Sequence, residues 1–452
     1  MPRYTNVRRH GAVLVVEIDN PPVNALSPGV PEAIGAALDE AEGDDDVIAV
    51  VVRGAGRMFV AGADITKLQE AAWGNESAAP NWHELFQRIE DCQKPVVMAI
   101  HGSALGGGLE LAMAGHYRVA VAGAEIGQPE VSLGLIPGGE GTQRLPRLAG
   151  IATALEICVT GKPMAASEAV IAGVIDEIVD DDLTAGGVAF ATRVAGRGAH
   201  QKTRDRRDKL GEPGTHARLF AAARERAGEV RPFETAPFKA VDAIEAAASL
   251  SFDDGCRREQ ELFLECLRSE QAKALIHVFF AGRALRKRGG PAADGARTAG
   301  VRLMHRYASE AHRLVEDGVR PAQIDRALTN FGMAAGIPGV QISVGASPRA
   351  VADDEIVERL VYAMVNEAAN GLETGAVARA SDIDTVLVSH HGFPAWRGGP
   401  MFYADRVGLG TVLDRIHAFQ REQGERWQPA PLLVELARTK RTFSERDLQQ
   451  RG

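Results

Sequence analysis

Residues 104–115, "ALGGGLELAMAG", place three glycines directly before an apolar run that holds one carboxylate, Glu110. Upstream, "KPVVMAIHG" (94–102) is apolar and β-branched, as a buried strand requires, so the glycines fall where a strand hands over to a helix beginning near Leu109. The first turn of such a helix leaves backbone N–H groups unpaired, with a partial positive charge behind them. Without a Cβ at Gly107, another molecule's oxygen can approach those donors, an arrangement suited to charge that appears during a reaction. The same glycines also fit a tight turn with demanding dihedrals.

Outward from this point, the runs "VLVVEI" (13–18) and "VIAVVVRG" (47–54) alternate with the helix-like "PEAIGAALDEAE" (31–42) and "NWHELFQRIEDC" (81–92). The first 190 or so residues therefore read as α/β with buried strands. From about Asp205 to Arg288 the pattern is helical, and "GGPAADGARTAG" (289–300) reads as a linker. Beyond it lies a weak internal repeat, since "EAHRLVEDG" (310–318) resembles "EAANGLETG" (367–375), and "QIDRAL" and "DIDTVL" follow at similar gaps. Two related helical units are expected, each with a glycine at a helix C-cap and with Asp325 or Asp384 near the start of the next helix.

Composition bounds the function. The 452 residues are 45% hydrophobic and 25% charged, which suits two or more globular domains. A net charge of -9 gives no bulk reason to expect nucleic acid or an anionic membrane as partner. No apolar run reaches the roughly 18 residues that span a bilayer. The four cysteines have no paired spacing typical of zinc or a dithiol, so free thiols in a soluble cytoplasmic protein are expected.

Glu110 lies among Leu109, Leu111, Ala112 and Met113, close in sequence to the glycine donors. Twenty residues on, "IGQPEVSLGLIPGGEGTQRL" (126–145) offers Glu130 after Pro129 in a second apolar stretch. Each acid alone is ordinary: one suits a helix face, the other the first turn of a short helix. Together in one apolar pocket, desolvation and mutual repulsion would separate their pKa values and supply an acid and a base.

Three blocks, "MFVAGADITKL" (58–68), "HGSALGGGLELAMAGHYRVA" (101–120) and "GQPEVSLGLIPGGEGTQRLPRLAG" (127–150), resemble the crotonase, or enoyl-CoA hydratase/isomerase, family in order and spacing. The later "FDDGCRREQELFLE", "HVFFAGRALRKR" and "HHGFPAWRGGPMFYAD" resemble the multifunctional β-oxidation enzymes that join a hydratase to a 3-hydroxyacyl-CoA dehydrogenase. The resemblance implies a crotonase-type ββα spiral over residues 1–250, a linker helix at 251–288, a short bridge at 289–300 and an all-helical dehydrogenase C-terminal-like region of two units at 301–452. It further implies an acyl-CoA thioester as substrate, gripped by the backbone N–H groups of Ala63 and Gly107. Glu110 and Glu130 correspond to the catalytic acids, Gly138 to a water-positioning donor, and Ala61, Asp64 and Ile65 to the CoA cradle. The implied reaction is hydration of a 2-enoyl-CoA in fatty-acid β-oxidation, with Δ3-Δ2 isomerisation as a side activity. Isomerisation alone, or a non-catalytic scaffold for β-oxidation partners, are the alternatives.

The chain departs from that family where an NAD-binding Rossmann domain is expected. Neither G-x-G-x-x-G nor a P-loop occurs anywhere in the sequence, so NAD and dehydrogenase activity are not expected, nor is any other cofactor. The linker and C-terminal region point to a monomer, with docking to a separate dehydrogenase or thiolase as a further expectation. His277 in "HVFF" reads as a packing or surface residue, Glu140 as a solvated loop acid, and His390 and His391 as structural or surface residues, with no metal site. The basic runs at 202–209 and 283–288 read as solvated helix faces rather than a phosphate site.

Overall fold

The computed structural model describes residues 4–75, 82–180, 182–212, 214–333 and 351–449. The chain divides into two compact units, residues 1–272 and 273–452.

In the first unit the β-branched runs form a six-stranded sheet from Thr5–His10 (β1), Val13–Ile18 (β2), Ala49–Gly54 (β3), Val96–Ile100 (β4), Tyr117–Val121 (β6) and Glu177–Val179 (β9). Its order is β1-β2-β3-β4-β6-β9, parallel throughout except for the β1/β2 hairpin. Ser103–Leu105 (β5), Glu125–Gly127 (β7) and Met164–Ala165 (β8) make a second, three-stranded sheet. One face of the large sheet packs Val13, Val15, Val51, Val97 and Val119 against Leu183, Phe190 and Val194 of the helix Leu183–Ala195. Strands covered on both faces read as unbroken apolar runs, which is why periodicity located them.

The turn from β4 through β5 delivers the chain to the helix Gly107–Ala114, all eight residues of which are buried. That helix starts two residues before the expected Leu109. Gly106 adopts φ +54°, and a Cβ on Gly108 would collide with the carbonyl of Val60, so the glycines serve both a turn and a close backbone approach. The loop after β3 is tied alongside by paired Leu26 and Ala63 and by paired Val60 and Ala104.

The boundaries differ from the expected ones. Residues 251–288 form two helices, Phe252–Arg268 and Glu270–Arg288, broken at the extended Ser269. The first of these belongs to the first unit. The "bridge" at 289–300 is helical, opening the 27-residue helix Gly290–Glu316 with a proline in its first turn. Its small residues pack closely: a Cβ on Gly300 would lie 2.7 Å from Val386 and 3.1 Å from His391. Glycine and alanine here serve helix-to-helix contact, which composition alone does not distinguish from a linker.

The second unit is helical throughout its described residues. Its repeat is structural: Gly290–Glu316 and Asp353–Glu373 each end in a glycine of positive φ, Gly318 (+92°) and Gly375 (+73°). Each is followed by a helix, Pro321–Phe331 or Ala380–His391, with Asp325 or Asp384 in its first turns. His277 is a packing residue with a bonded partner, its Nε2 lying 2.9 Å from Asp384 and its ring stacked on Phe402.

Arg359 and Glu310, both fully buried in this unit, pair at 2.7 Å, and Arg359 also reaches Asp317 at 2.8 Å. Removing one partner strands a buried charge. Arg359→Leu is therefore expected to lower the unfolding free energy of this unit by about 3–5 kcal/mol. Urea titration measures it, and an unchanged midpoint contradicts this account of the core.

Candidate active site

Three backbone segments converge in the first unit: residues 60–64, residues 105–110 and residues 138–142. The first two bring together the amides expected to grip an oxygen. A Cβ on Gly107 would lie 3.2 Å from the Ala63 nitrogen, and among the described residues neither amide donates a hydrogen bond. Gly107 is the first residue of its helix, so its N–H is one of those a helix start leaves without an internal partner.

Glu110 sits in the first turn of the same helix, 2% exposed. Its Oε1 accepts from the amides of Gly139 (2.8 Å) and Gly141 (3.1 Å). Burial lifts its pKa to about 7, the two amide bonds opposing the rise. Glu130 opens the short 3-10 helix Glu130–Leu133, with its carboxylate lying over Gly106, where a Cβ would come 2.5 Å from its Oε1. Desolvation first, and the charge of Glu110 second, push it well above the usual carboxylate range. The Glu110 carboxyl thus stands against Gly139 and Gly141 and that of Glu130 over Gly106, near enough for the charge of Glu110 to act on Glu130.

The other expected positions fall as follows. Gly138 lies in the 138–142 loop, but the amides that hold Glu110 are those of Gly139 and Gly141. A Cβ on Gly138 would meet the ring of Phe263 at 2.5 Å. Asp64 caps the helix Ile65–Ala72, accepting from Thr66 N (3.0 Å) and Ser27 Oγ (2.9 Å). Burial favours a raised pKa there, and these hydrogen bonds outweigh it and lower it. Ala61 and Ile65, both half-buried, flank this turn.

Glu140 corrects an expectation. It is 2% exposed, at φ +67°, and its carboxylate joins His83 Nδ1 (2.6 Å) and Arg144 Nε (2.6 Å). Fully buried Arg144 reaches on to Glu90 at 2.7 Å. Burial opposes ionisation of Glu140, yet Arg144 and His83 hold its pKa below normal. The basic run at 202–209 is also engaged: Lys202 and Arg204 pair with Asp91, and Lys209 Nζ bonds the carbonyls of Leu148 and Ala172.

Four groups escaped sequence reasoning. Glu259, in the helix Phe252–Arg268, accepts from Glu140 N (2.6 Å), Thr142 N (2.8 Å) and Thr142 Oγ1 (2.5 Å), fixing the loop that holds Glu110. A signal existed: Glu259 occupies an apolar-stripe position with Cys256, Leu262, Phe263 and Cys266. Trp82 lies over both glycine segments, within 3.0 Å of where a Cβ on Gly107 or Gly139 would stand, beside Glu110. His83 and the Arg144–Glu90 pair left no comparable trace. Among the described residues no cluster of His, Cys, Asp and Glu could hold a metal.

The sequence profile of the enoyl-CoA hydratase/isomerase family matches residues 8–204, and that of the 3-hydroxyacyl-CoA dehydrogenase C-terminal domain matches residues 299–347 and 356–446. The peroxisomal bifunctional enzyme of Cavia porcellus is 37% identical over 292 residues, covering 64% of this chain and 40% of its own. A Bacillus subtilis protein named "Probable enoyl-CoA hydratase" is 47% identical over 165 residues, covering 36% of this chain and 64% of its own. The crystal structure of a carnitinyl-CoA dehydratase from Mycobacterium thermoresistibile superposes with a TM-score of 0.50 at 25% identity, over 62% of this chain and 90% of that one. The chain spans about 40% of the length of the bifunctional relative. With the α/β architecture of the first unit and the helical second unit, these likenesses show a domain of the crotonase, or enoyl-CoA hydratase/isomerase, family in residues 8–204 and, after it in the sequence, the C-terminal domain of the 3-hydroxyacyl-CoA dehydrogenases.

Proposed function

We propose that the first unit hydrates 2-enoyl-CoA thioesters. The observation that carries the reading is the approach of the Ala63 and Gly107 amides beside Gly106, over which Glu130 lies within the influence of the Glu110 charge. In this reading the thioester oxygen accepts from both amides. Glu110, as carboxylate, takes a proton from water as the water oxygen bonds to C3. The electron pair of the C2=C3 bond moves toward the thioester, and the amides meet the charge that develops there, each worth about 3 kcal/mol in other enzymes. Glu130, as the neutral acid, delivers its proton to C2, so H and OH are added and the two acids exchange states. Proton exchange with solvent then restores them. The pKa directions support this division of labour, with Glu110 near 7 and Glu130 well above its usual range.

The finer assignments belong to the same proposal. The amide of Gly138 helps to place the water, and Ala61, Asp64 and Ile65 border the CoA moiety. Glu130 moving a proton between C4 and C2 gives the Δ3-Δ2 isomerase side activity. NAD is not used, and a separate dehydrogenase or thiolase, docked on a monomer, handles the product. The four cysteines are free and buried, which suits a reducing interior. Among the relatives, names specify peroxisomes and glyoxysomes, so the compartment is read as reducing rather than as the cytoplasm alone.

Crotonyl-CoA added to the protein is expected to lose its ultraviolet enone-thioester absorbance, and no loss with folded protein contradicts the proposal. Glu110→Gln and Glu130→Gln are each expected to cut kcat by about 10²–10⁴ fold with KM little changed. A 3-hydroxyacyl-CoA with NAD is expected to yield no NADH, and NADH formation overturns that part.

Glu110 also makes a stability prediction. A carboxyl whose folded pKa is raised is destabilising wherever the unfolded chain ionises and the folded chain resists. Glu110→Gln is therefore expected to stabilise the protein by up to about 3 kcal/mol above pH 7, with the gain vanishing below about pH 4.5. Thermal unfolding against pH checks this, and a pH-independent difference contradicts it.

A further inference from the structure

Five carboxylates crowd the pocket and its wall: Glu110 from the helix Gly107–Ala114, Glu130 from the 3-10 turn, Glu140 from the loop, Glu259 from the helix Phe252–Arg268 and Glu90 from the helix His83–Asp91. Arg144 is bonded among them and divided between Glu90 and Glu140, and Arg204 reaches Glu90 from the far side at 3.8 Å. The thiol of Cys158, also buried, is raised by desolvation and by the charges of Glu130, Glu259 and Glu110. One further group carries a proton into this set. His83, the first residue of its helix, places Nδ1 2.6 Å from Glu140 Oε1. Glu140 in turn stands between Gly139 and Gly141, the two residues whose amides hold Glu110.

The ring of His83 is one-third exposed, unlike every carboxyl it serves, so it exchanges protons with solvent. Arg204 shares Glu90 with Arg144, so a neutral ring leaves Glu140 only its part of Arg144, whereas an imidazolium supplies a cation of its own at Glu140.

We propose that His83 is a positioning residue for the hydration assigned above: as an imidazolium held by Glu140, it adds a cation at the loop that binds Glu110 and keeps Glu110 in the carboxylate form that takes the proton from water. The bond to Glu140 favours this form, raising the His83 pKa against the opposing effect of burial. The inference rests on the hydratase reading for its catalytic consequence, but its electrostatic content concerns the protein without substrate. It assigns a role to a side chain that touches no reacting atom.

The test compares wild type with His83→Gln, which keeps a hydrogen-bonding side chain and loses the charge, and with His83→Lys, which keeps a cation. The ionisation of Glu110 is followed in the substrate-free protein by its carboxyl-stretch infrared band, isolated by subtracting Glu110→Gln spectra. In parallel, the pH profile of kcat/KM is recorded with crotonyl-CoA. His83→Gln is expected to move the Glu110 midpoint, and the acid limb of the profile with it, upward by about one pH unit. His83→Lys is expected to hold both near the wild-type position. An unmoved midpoint in His83→Gln, or equal displacement in both variants, overturns the proposal. A wild type without turnover, with the infrared midpoint still displaced in His83→Gln, would sink the hydratase reading while leaving the charge coupling in place. One-third exposure of the side chain makes both substitutions compatible with folding.

Discussion

Glu110 is a carboxylate kept away from water without a cation of its own, and the surrounding structure exists around that cost. Hydrogen bonds to a charged group contribute about 1.5–3 kcal/mol each, so the Gly139 and Gly141 amides offset much of the desolvation. They do not offset all of it. The pKa near 7 leaves a residue of about 3 kcal/mol, which the fold sustains elsewhere. Part of that support is visible: Glu259 pins the 140–142 backbone through three hydrogen bonds, and the Arg144 link joins the loop to the helix His83–Asp91.

The second unit uses acids at helix starts in the same way. Asp384 accepts from the amide of Met401, Asp405 from Phe443 and Ser444, and Asp447 from Ala380 and Ser381, each carboxylate closing the start of a helix. Glu310 has Arg359. Glu130 differs in that the charge of Glu110 adds to its desolvation. The helical unit thereby has an architecture built from repeated caps.

Legibility in the sequence followed the range of the interaction. The strand, the three glycines and the carboxylate after them are a local pattern, because a helix start and a close backbone approach are decided within a few residues. Glu130 was legible as a second acid in an apolar stretch, although only folding brings it over Gly106. Glu140 was misread because "PGGEGTQ" has the composition of a solvated loop, while the partner that buries it, His83, lies 57 residues away. Glu259 is more distant still, yet a lone acid on an apolar stripe was a usable sign. The segment 289–300 misled for a different reason: small residues permit both flexibility and tight helix packing, and only the proximity of Val386 to Gly300 decides between them.

The account's central claim is spatial, that one acyl thioester fits between two main-chain donors and two acids. A crystal structure with a saturated acyl-CoA bound tests it most directly. The account predicts the thioester oxygen within about 2.7–3.1 Å of the nitrogens of Ala63 and Gly107, with C2 and C3 between Glu110 and Glu130. A thioester bound elsewhere, or one whose oxygen contacts neither amide, would contradict it.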